Sequence, residues 1–483
     1  MKRWFLFVRC KMGCYILILT FLLIPQISVS AEQDKICLSV LYFENTTGDS
    51  ETDWMSKGLT DLLINSLQKF TFINVVEREE VEKVLKEIAF SLGGFTEGEI
   101  ETGKLLKADY QVTGSFISSG GAVKVYVKIT EVKTSKILKT RDFSMTKDVF
   151  QLKVDEMTEG IAEDLSQISL FQGKKLVKPK VNSRRIMTTD SFDATAHFYR
   201  GLDYGDKKKH GLAIQEYESA IGIDENFVRA YVNLGVAYFE NGQETSAVEY
   251  LNKAIELSPD LALPYYNLGM AYQRLRNLDE AIINFEKVIS LEPNNKNAYI
   301  NLGVCYYQKG EVNSAISSYQ KAIEIDTYDK TAYFNLGTAY FKLKEYNQAI
   351  TAWEKAVEID FEFAEAYIKL GNAYETQDMF LEAVKYYELA LRYVDESKKG
   401  EIYKHIGLCA GKGGEVEKAV SNLEKTSRYL PYDIEVWYSL GVAYVKMKDY
   451  DSATSAFEKV ANIDPDGALG LKAKEILRKL RGE

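Results

Sequence analysis

Cysteine is scarce in this chain of 483 residues. There are five, and two of them fall within the first fourteen positions. The remaining three, Cys37, Cys305 and Cys409, are an odd number in a chain long enough to build cores without staples, so no disulfide framework is indicated. Histidine is scarcer still. His197, His210 and His405 show no cysteine or carboxylate pattern at metal spacing, and neither GxSxG, HExxH nor a phosphate-loop glycine run occurs. The sequence therefore offers no catalytic, metal or cofactor site, and no enzyme activity is expected. A basic excess is also missing: the net charge is −10 and the pI near 5.3, which argues against nucleic acid as a partner. Residues 171–190 are the local exception, a basic linker with six Lys or Arg and no acid between 171 and 189.

What is present begins with a leader. Lys2, Arg3, Arg9 and Lys11 form a positive region, Cys14 to Ile24 an apolar run, and Ser28-Val29-Ser30-Ala31 a small-residue cleavage site. Residues 1–31 are expected to be removed as a signal peptide. A membrane span needs about 20 uninterrupted apolar residues, and Arg9 and Lys11 cut this run short. The mature chain is thus expected to be exported, without a transmembrane segment and soluble. Neither Cys14 nor Cys37 follows the small and apolar residues that lipid attachment uses.

From residue 191 to 466 the chain repeats itself. Glycines stand at 201, 235, 269, 303, 337, 371, 407 and 441, spaced by 34 residues five times, then 36, then 34. Tyrosine follows three residues later in every unit except at Ala410, and alanine twelve residues later in all of them. Four beyond that alanine comes a bulky residue such as Phe285, Trp353 or Phe457, and prolines 259, 293, 431 and 465 close four units. Each unit reads as two antiparallel helices whose small residues permit close approach. Tyr231, Leu234 and Tyr238 form an apolar stripe that one pair cannot bury alone, so the pairs must stack. Cys305 and Cys409 occupy a slot that is alanine elsewhere and read as core fillers. This pattern resembles the tetratricopeptide repeat family, which implies an all-α solenoid of eight repeats. Residues 467–483, with alanine and leucine at helical spacing, suit a capping helix. The first unit, with Arg200 and Glu225 in place of Leu and Pro, reads as eroded, and the two extra residues of the seventh suggest a weak joint near 394–401.

Asn233, Asn267, Asn301 and Asn335 lie two residues before successive glycines, on a face turned away from the packing stripe. In the family this resembles, that face lines the concave groove that binds protein or extended peptide partners. A carboxamide offers an acceptor and two donors, so a ladder of them can hold a peptide backbone without reading its side chains. The expected walls are Val232, Tyr266, Ile300 and Phe334, then Val236, Met270, Val304 and Thr338, then Phe239, Tyr307 and Phe341. A second reading stands beside this one: a tolerated polar residue on an exposed helix face. Beyond Gly371 the slot holds Lys369, His405 and Ser439, so any groove has two chemically different halves.

Residues 35–170 follow another grammar. Strand-like ICLSVLYF, helical DWMSKGLTDLLINSLQKF and strand-like FINVVER come first, followed by two helices expected over 79–107. Three strands then alternate with turns at Gly120-Gly121 and Thr134-Ser135-Lys136, and a helix closes the domain near residue 168. The fold class is α+β, a mixed sheet with helices on one side. The stretches GLTDLLINSL, VVERE with VEKVLKE, and GKLLKADYQVTGSF resemble the CsgG-like curli secretion family and the related TolB amino-terminal domain. That resemblance implies an envelope protein that docks beside a second component and can form homo-oligomers through this domain. The lipid-crossing strand insertions of the channel family are not found, since only Ser118–Gly121 separates two strands. Two functions remain open: a periplasmic or cell-envelope scaffold, or an accessory of a secretion or surface-fibre assembly machine.

Overall fold

A computed structural model describes residues 35–48, 52–70, 72–77, 80–84, 105–168 and 189–481. The expected leader, most of the two helices expected over 79–107, and the basic segment up to 188 lie outside the described residues. The chain forms two compact units, Met1–Lys180 and Val181–Glu483.

The described residues of the first unit form a mixed five-stranded sheet. Its strands are β1 (Ile36–Asn45), β2 (Ile73–Val75), β3 (Tyr110–Ser119), β4 (Ala122–Glu131) and β5 (Lys136–Thr146), in the order β2-β1-β3-β4-β5. β1 runs parallel to both β2 and β3, whereas β3, β4 and β5 are joined antiparallel. Alternation makes one face apolar: Val40 aligns with Val112, Phe116 with Val125, and Val125 in turn with Phe143. Helices α1 (Trp54–Leu67) and α2 (Phe150–Ile168) accompany this sheet and meet through an edge-to-face contact of Trp54 with Phe150 at 6.1 Å. Arg141 on β5 grips Asp164 on α2 with two bonds of 2.6 and 2.9 Å, and the Asp164 side chain is buried.

The sheet is not covered on one side only. Leu41 buries its side chain with Val76, Val81, Cys37 and Leu106, and Tyr42 bonds Glu82, so the second face of β1 is covered as well. Handedness explains the difference from expectation. The crossover from β1 to β2 moves one way across the sheet and that from β2 to β3 moves back past β1. Two right-handed crossovers in opposite directions lie on opposite faces. Between β3 and β4 the chain reverses at Gly120 (φ +59°) and Gly121 (φ +82°), the paired left-handed conformations that a two-residue hairpin turn demands.

The described residues of the second unit form sixteen helices in eight antiparallel pairs, followed by one more. The pairs are α3 (Phe192–Asp206) with α4 (His210–Ile223), α5 (Val228–Glu240) with α6 (Glu244–Leu257), α7 (Ala262–Arg274) with α8 (Leu278–Leu291), and α9 (Lys296–Lys309) with α10 (Val312–Ile325). They continue with α11 (Lys330–Lys342) and α12 (Tyr346–Ile359), α13 (Ala364–Thr376) and α14 (Phe380–Ala390), α15 (Glu396–Gly413) and α16 (Val416–Tyr429), α17 (Ile434–Lys446) and α18 (Tyr450–Ile463). In each pair the first-helix glycine faces the bulky side chain sixteen residues later. A Cβ on Gly337 would stand 2.6 Å from Trp353 Nε1, and one on Gly371 2.5 Å from Tyr387 Cε1. The recurring alanines, such as Ala247 and Ala349, are fully buried.

The seventh unit absorbs its two extra residues differently from the expected weak joint. α14 stops after 11 residues and α15 runs for 18, so the insertion becomes an added first turn of helix whose Gly400 packs under Tyr429. Helix α19 (Ala468–Arg481) buries Ala473 and Leu477 against Phe457 and Val460 of the last pair.

The close approach at glycine sets a testable difference. Gly337→Ala forces a methyl group into the Trp353 ring and should destabilise by roughly 1–3 kcal/mol. Gly222→Ala, on α4 with nothing within 4 Å of its Cβ position, should gain about 0.5–1 kcal/mol from helix propensity. Urea denaturation midpoints of the two variants should move in opposite directions.

Candidate functional site

The asparagine face follows from the glycine contact. On a helix of 3.6 residues per turn, two residues back is about 200° around the axis. Because each glycine points at its own second helix, Asn233, Asn267, Asn301 and Asn335 point away from it, and all four are half-buried. Their hydrogen bonding divides them. Asn233 Nδ2 donates to the Arg229 carbonyl at 2.8 Å, one turn back in its own helix. Asn301 Nδ2 donates to Tyr266 Oη at 2.8 Å, bridging to the preceding repeat. No hydrogen bond joins the Asn267 or Asn335 carboxamide to another described residue.

The wall residues divide too. Val236, Phe239, Tyr266, Met270, Val304, Tyr307, Phe334 and Phe341 are half-buried beside the asparagines. Val232 and Ile300, expected in the same wall, are core residues at 2% and 8% exposure. Val232 packs with Val228, Tyr231 and Ala254, and Ile300 with Ala322 and Ala332. The slot immediately before the asparagine is rotated toward the second helix and the next repeat, so a β-branched aliphatic there disappears into the seam. Only the larger Tyr266 and Phe334 reach out of the same slot, where they lean on Phe285 at 5.8 Å and Phe363 at 5.1 Å. Phe239 lies under the Arg274 guanidinium, 3.5 Å from its ring centre.

Beyond Gly371 the same face becomes ionic. His405 Nδ1 lies 3.1 Å from Glu375 Oε2, and its ring stacks on Tyr387 at 5.0 Å. The Tyr387 hydroxyl is 2.6 Å from Asn372 Oδ1 and 2.9 Å from Glu375 Oε2, and Lys412 Nζ is 3.8 Å from Glu375 Oε1. The His405 hydrogen bond, helped by the Tyr387 hydroxyl, holds the Glu375 carboxyl down at about 2 even though partial burial opposes it. Burial pushes the thiols of Cys305 and Cys409 up to about 11 and about 12, so both stay protonated packing groups. The His405 cluster escapes a search for metal or catalytic spacing because its members lie on different repeats. The 30 residues between Glu375 and His405 are the 36-residue spacing of these two units less the six that separate the position four after a glycine from the position two before it, and that offset was the available signal.

Family models for tetratricopeptide repeats match residues 201–242, 226–292, 337–378, 364–393 and 434–466. A model of anaphase-promoting complex, cyclosome, subunit 3 matches 274–356. The curli production assembly/transport component CsgG model matches 24–125. A curated relative, the chloroplastic tetratricopeptide repeat domain-containing protein PYG7 of Arabidopsis thaliana, is 30% identical over 84 residues. The match covers 17% of this chain and 28% of that protein. Among solved structures, MamA is 31% identical with a TM-score of 0.32, covering 35% of this chain and 97% of its own. YrrB, described as a TPR protein with an unusual peptide-binding site, is 26% identical with a TM-score of 0.37, covering 40% of this chain and 97% of its own. Residues 201–466 therefore carry tetratricopeptide repeats, a scaffold for protein–protein interaction, and none of the matching families is catalytic. Among the described residues no helix is long and apolar enough to cross a membrane.

The Glu375 cluster gives a pH signature. A carboxyl whose value is depressed in the folded state contributes stability above its unfolded value near 4.5, and that contribution is lost as pH falls toward about 2. Glu375→Gln should therefore be less stable than the parent at pH 6, with the gap closing between pH 4.5 and 2. Denaturant midpoints measured across that window give the comparison.

Proposed function

We propose that this chain, a tetratricopeptide-repeat protein with a CsgG-like amino-terminal unit, is an exported cell-envelope scaffold. Its solenoid holds an extended protein segment along the asparagine face, and its first unit docks a second component. The observation that carries this reading is the pair Asn267 and Asn335. Both are half-buried carboxamides without a partner among the described residues, set among Met270, Val304 and Phe334 on a face that packing leaves open. A peptide backbone supplies the alternating carbonyl and N–H groups that such carboxamides can pair with, while the apolar neighbours bury its side chains without demanding one sequence.

Export rests on the leader residues Lys2 to Ala31, and the CsgG-like match agrees with an envelope setting. That family's description as a production assembly and transport component also supports a second reading, an accessory of a secretion or surface-fibre machine. A ring formed by the first unit favours the second reading, and a monomer favours the first. Light scattering of the mature chain separates them.

The mature amino terminus should begin near Glu32 when the protein is recovered from cells and sequenced, and retention of Met1 would refute export. For the groove, peptides selected from a displayed library of unstructured sequences should bind the parent protein. Changing Asn267 and Asn335 together to Ala should weaken that binding about 30-fold, at on the order of 1 kcal/mol per lost pair of bonds. The Asn233→Ala and Asn301→Ala pair should cost less, because those amide donors are already engaged. Unchanged affinity in the Asn267/Asn335 variant would leave the asparagines as surface residues only.

A further inference from the structure

On the asparagine face the first helices of consecutive repeats touch one another directly. Asn301 Nδ2 reaches Tyr266 Oη at 2.8 Å, and His405 Nδ1 lies 3.1 Å from Glu375 Oε2, each contact running from one first helix to the first helix before it. Helices in such contact stand about 8–10 Å apart, so equivalent side chains recur along the face at about that interval. A segment lying across the helices covers that interval with three residues, which span about 10 Å in a β-strand and about 9 Å in a polyproline II helix. Only one of these conformations keeps step with the repeats. A β-strand turns over with a period of two, so successive repeats would meet opposite faces of it. Polyproline II has three residues per turn and brings the same face back to every repeat.

The side chains on this face suit the same conformation. A polyproline II segment makes no internal hydrogen bonds, so each of its carbonyls is an outward acceptor, and its prolines have no N–H to donate. Such a ligand needs donors and flat apolar surface. The carboxamides of Asn267 and Asn335 are donors without a partner among the described residues, and no hydrogen bond joins the Tyr307 hydroxyl to another described residue. Tyr266 Oη accepts from Asn301 and keeps its own hydrogen to give. The half-buried rings of Tyr266, Phe334 and Phe341 stand beside these donors and supply the flat surface. From Asn233 to Thr338 the asparagine slot and the slot three residues beyond it carry no charge in any of the four repeats, so nothing there calls for an ionic ligand.

We propose that the segment held across repeats two to five is a proline-rich polyproline II helix, with one turn of three residues to each repeat. This rests on the peptide-binding reading above and narrows the ligand to one conformation. Its carbonyls accept from Asn267, Asn335 and the two tyrosine hydroxyls, and its proline rings lie on the aromatic side chains between them. A segment already in this conformation also loses less freedom on docking than a flexible one, which favours it further over other neutral peptides.

The test is calorimetric titration of the full chain with (Pro-Pro-Leu)4, with a shuffled peptide of the same composition and with (Thr-Thr-Leu)4. The first should bind about tenfold or more tightly than the threonine peptide, which favours β structure, and several-fold more tightly than the shuffled one. Changing Asn267 and Asn335 together to Ala should weaken binding of (Pro-Pro-Leu)4 by about 30-fold, which places the peptide on this face. Peptides recovered by the solenoid from a displayed library should carry proline at three-residue spacing. The proposal is overturned if the threonine or shuffled peptide binds as tightly as (Pro-Pro-Leu)4, if the alanine variant binds it unchanged, or if the library peptides bind without that spacing. In the last case peptide binding itself stands and only the conformation is wrong, whereas a protein that binds neither the synthetic nor the library peptides refutes both.

Discussion

Eight times along the second unit a glycine lies beneath the side chain sixteen residues further on, with a missing Cβ that would stand 2.5–2.9 Å from it. This contact sets how closely the two helices of a pair approach, and much else depends on it. Because the glycine must face its own second helix, the rest of the first helix is assigned by rotation: leucine and alanine to the seam, asparagine away from it. The partner may be Tyr217, Leu251, Phe285 or Trp353, since the constraint is on the void left by glycine rather than on one ring. Identical geometry in each pair then lets pairs stack, so the apolar stripe that a single pair leaves exposed becomes a continuous core.

The repeat was legible in the sequence because this contact has a fixed spacing. Glycine, tyrosine, alanine and the bulky partner recur in step, and the two-residue insertion near 400 appears as a change of spacing from 34 to 36. What the spacing could not show is how an insertion is accommodated. An added helical turn at the start of α15 keeps its backbone hydrogen bonds satisfied, which a loop at the same seam would not do as well. Val232 and Ile300 were misplaced for a related reason. Periodicity assigns a face, but the depth reached from a face near the seam depends on side-chain size, and valine and isoleucine fall short where tyrosine and phenylalanine do not.

In the first unit the strands and hairpin were legible from alternation and from Gly120-Gly121, whereas coverage of the sheet was not. Alternation along β1 reports whether each side chain is apolar, and β1 is apolar on both faces, as its cover of Val81 and Leu106 requires. The order β2-β1-β3 decides which connection passes over which face, and order is a property of pairing rather than of any segment. His405 and Glu375 make the same point in the solenoid. Each is an ordinary surface residue in its own repeat, and only stacking brings them to 3.1 Å.

The change in chemistry along the asparagine face coincides with the change in spacing. Repeats two to five present carboxamides among aliphatic and aromatic side chains, groups that pair with a backbone without net charge. From the sixth repeat onward the same positions hold Lys369, Asn372, Glu375 and His405, the last three tied into a network with Tyr387 and Lys412. Burying a charge is tolerable only where it is paired, and Glu375 is paired from the next repeat rather than from its own. The ionic half therefore depends on the register between repeats six and seven, the place where the repeat length changes, whereas Asn267 and Asn335 are positioned by their own helices. An extended segment lying along the proposed groove would meet a neutral, sequence-tolerant surface first and a charged surface beyond it. Affinity and selectivity can then be supplied by different repeats of one continuous solenoid.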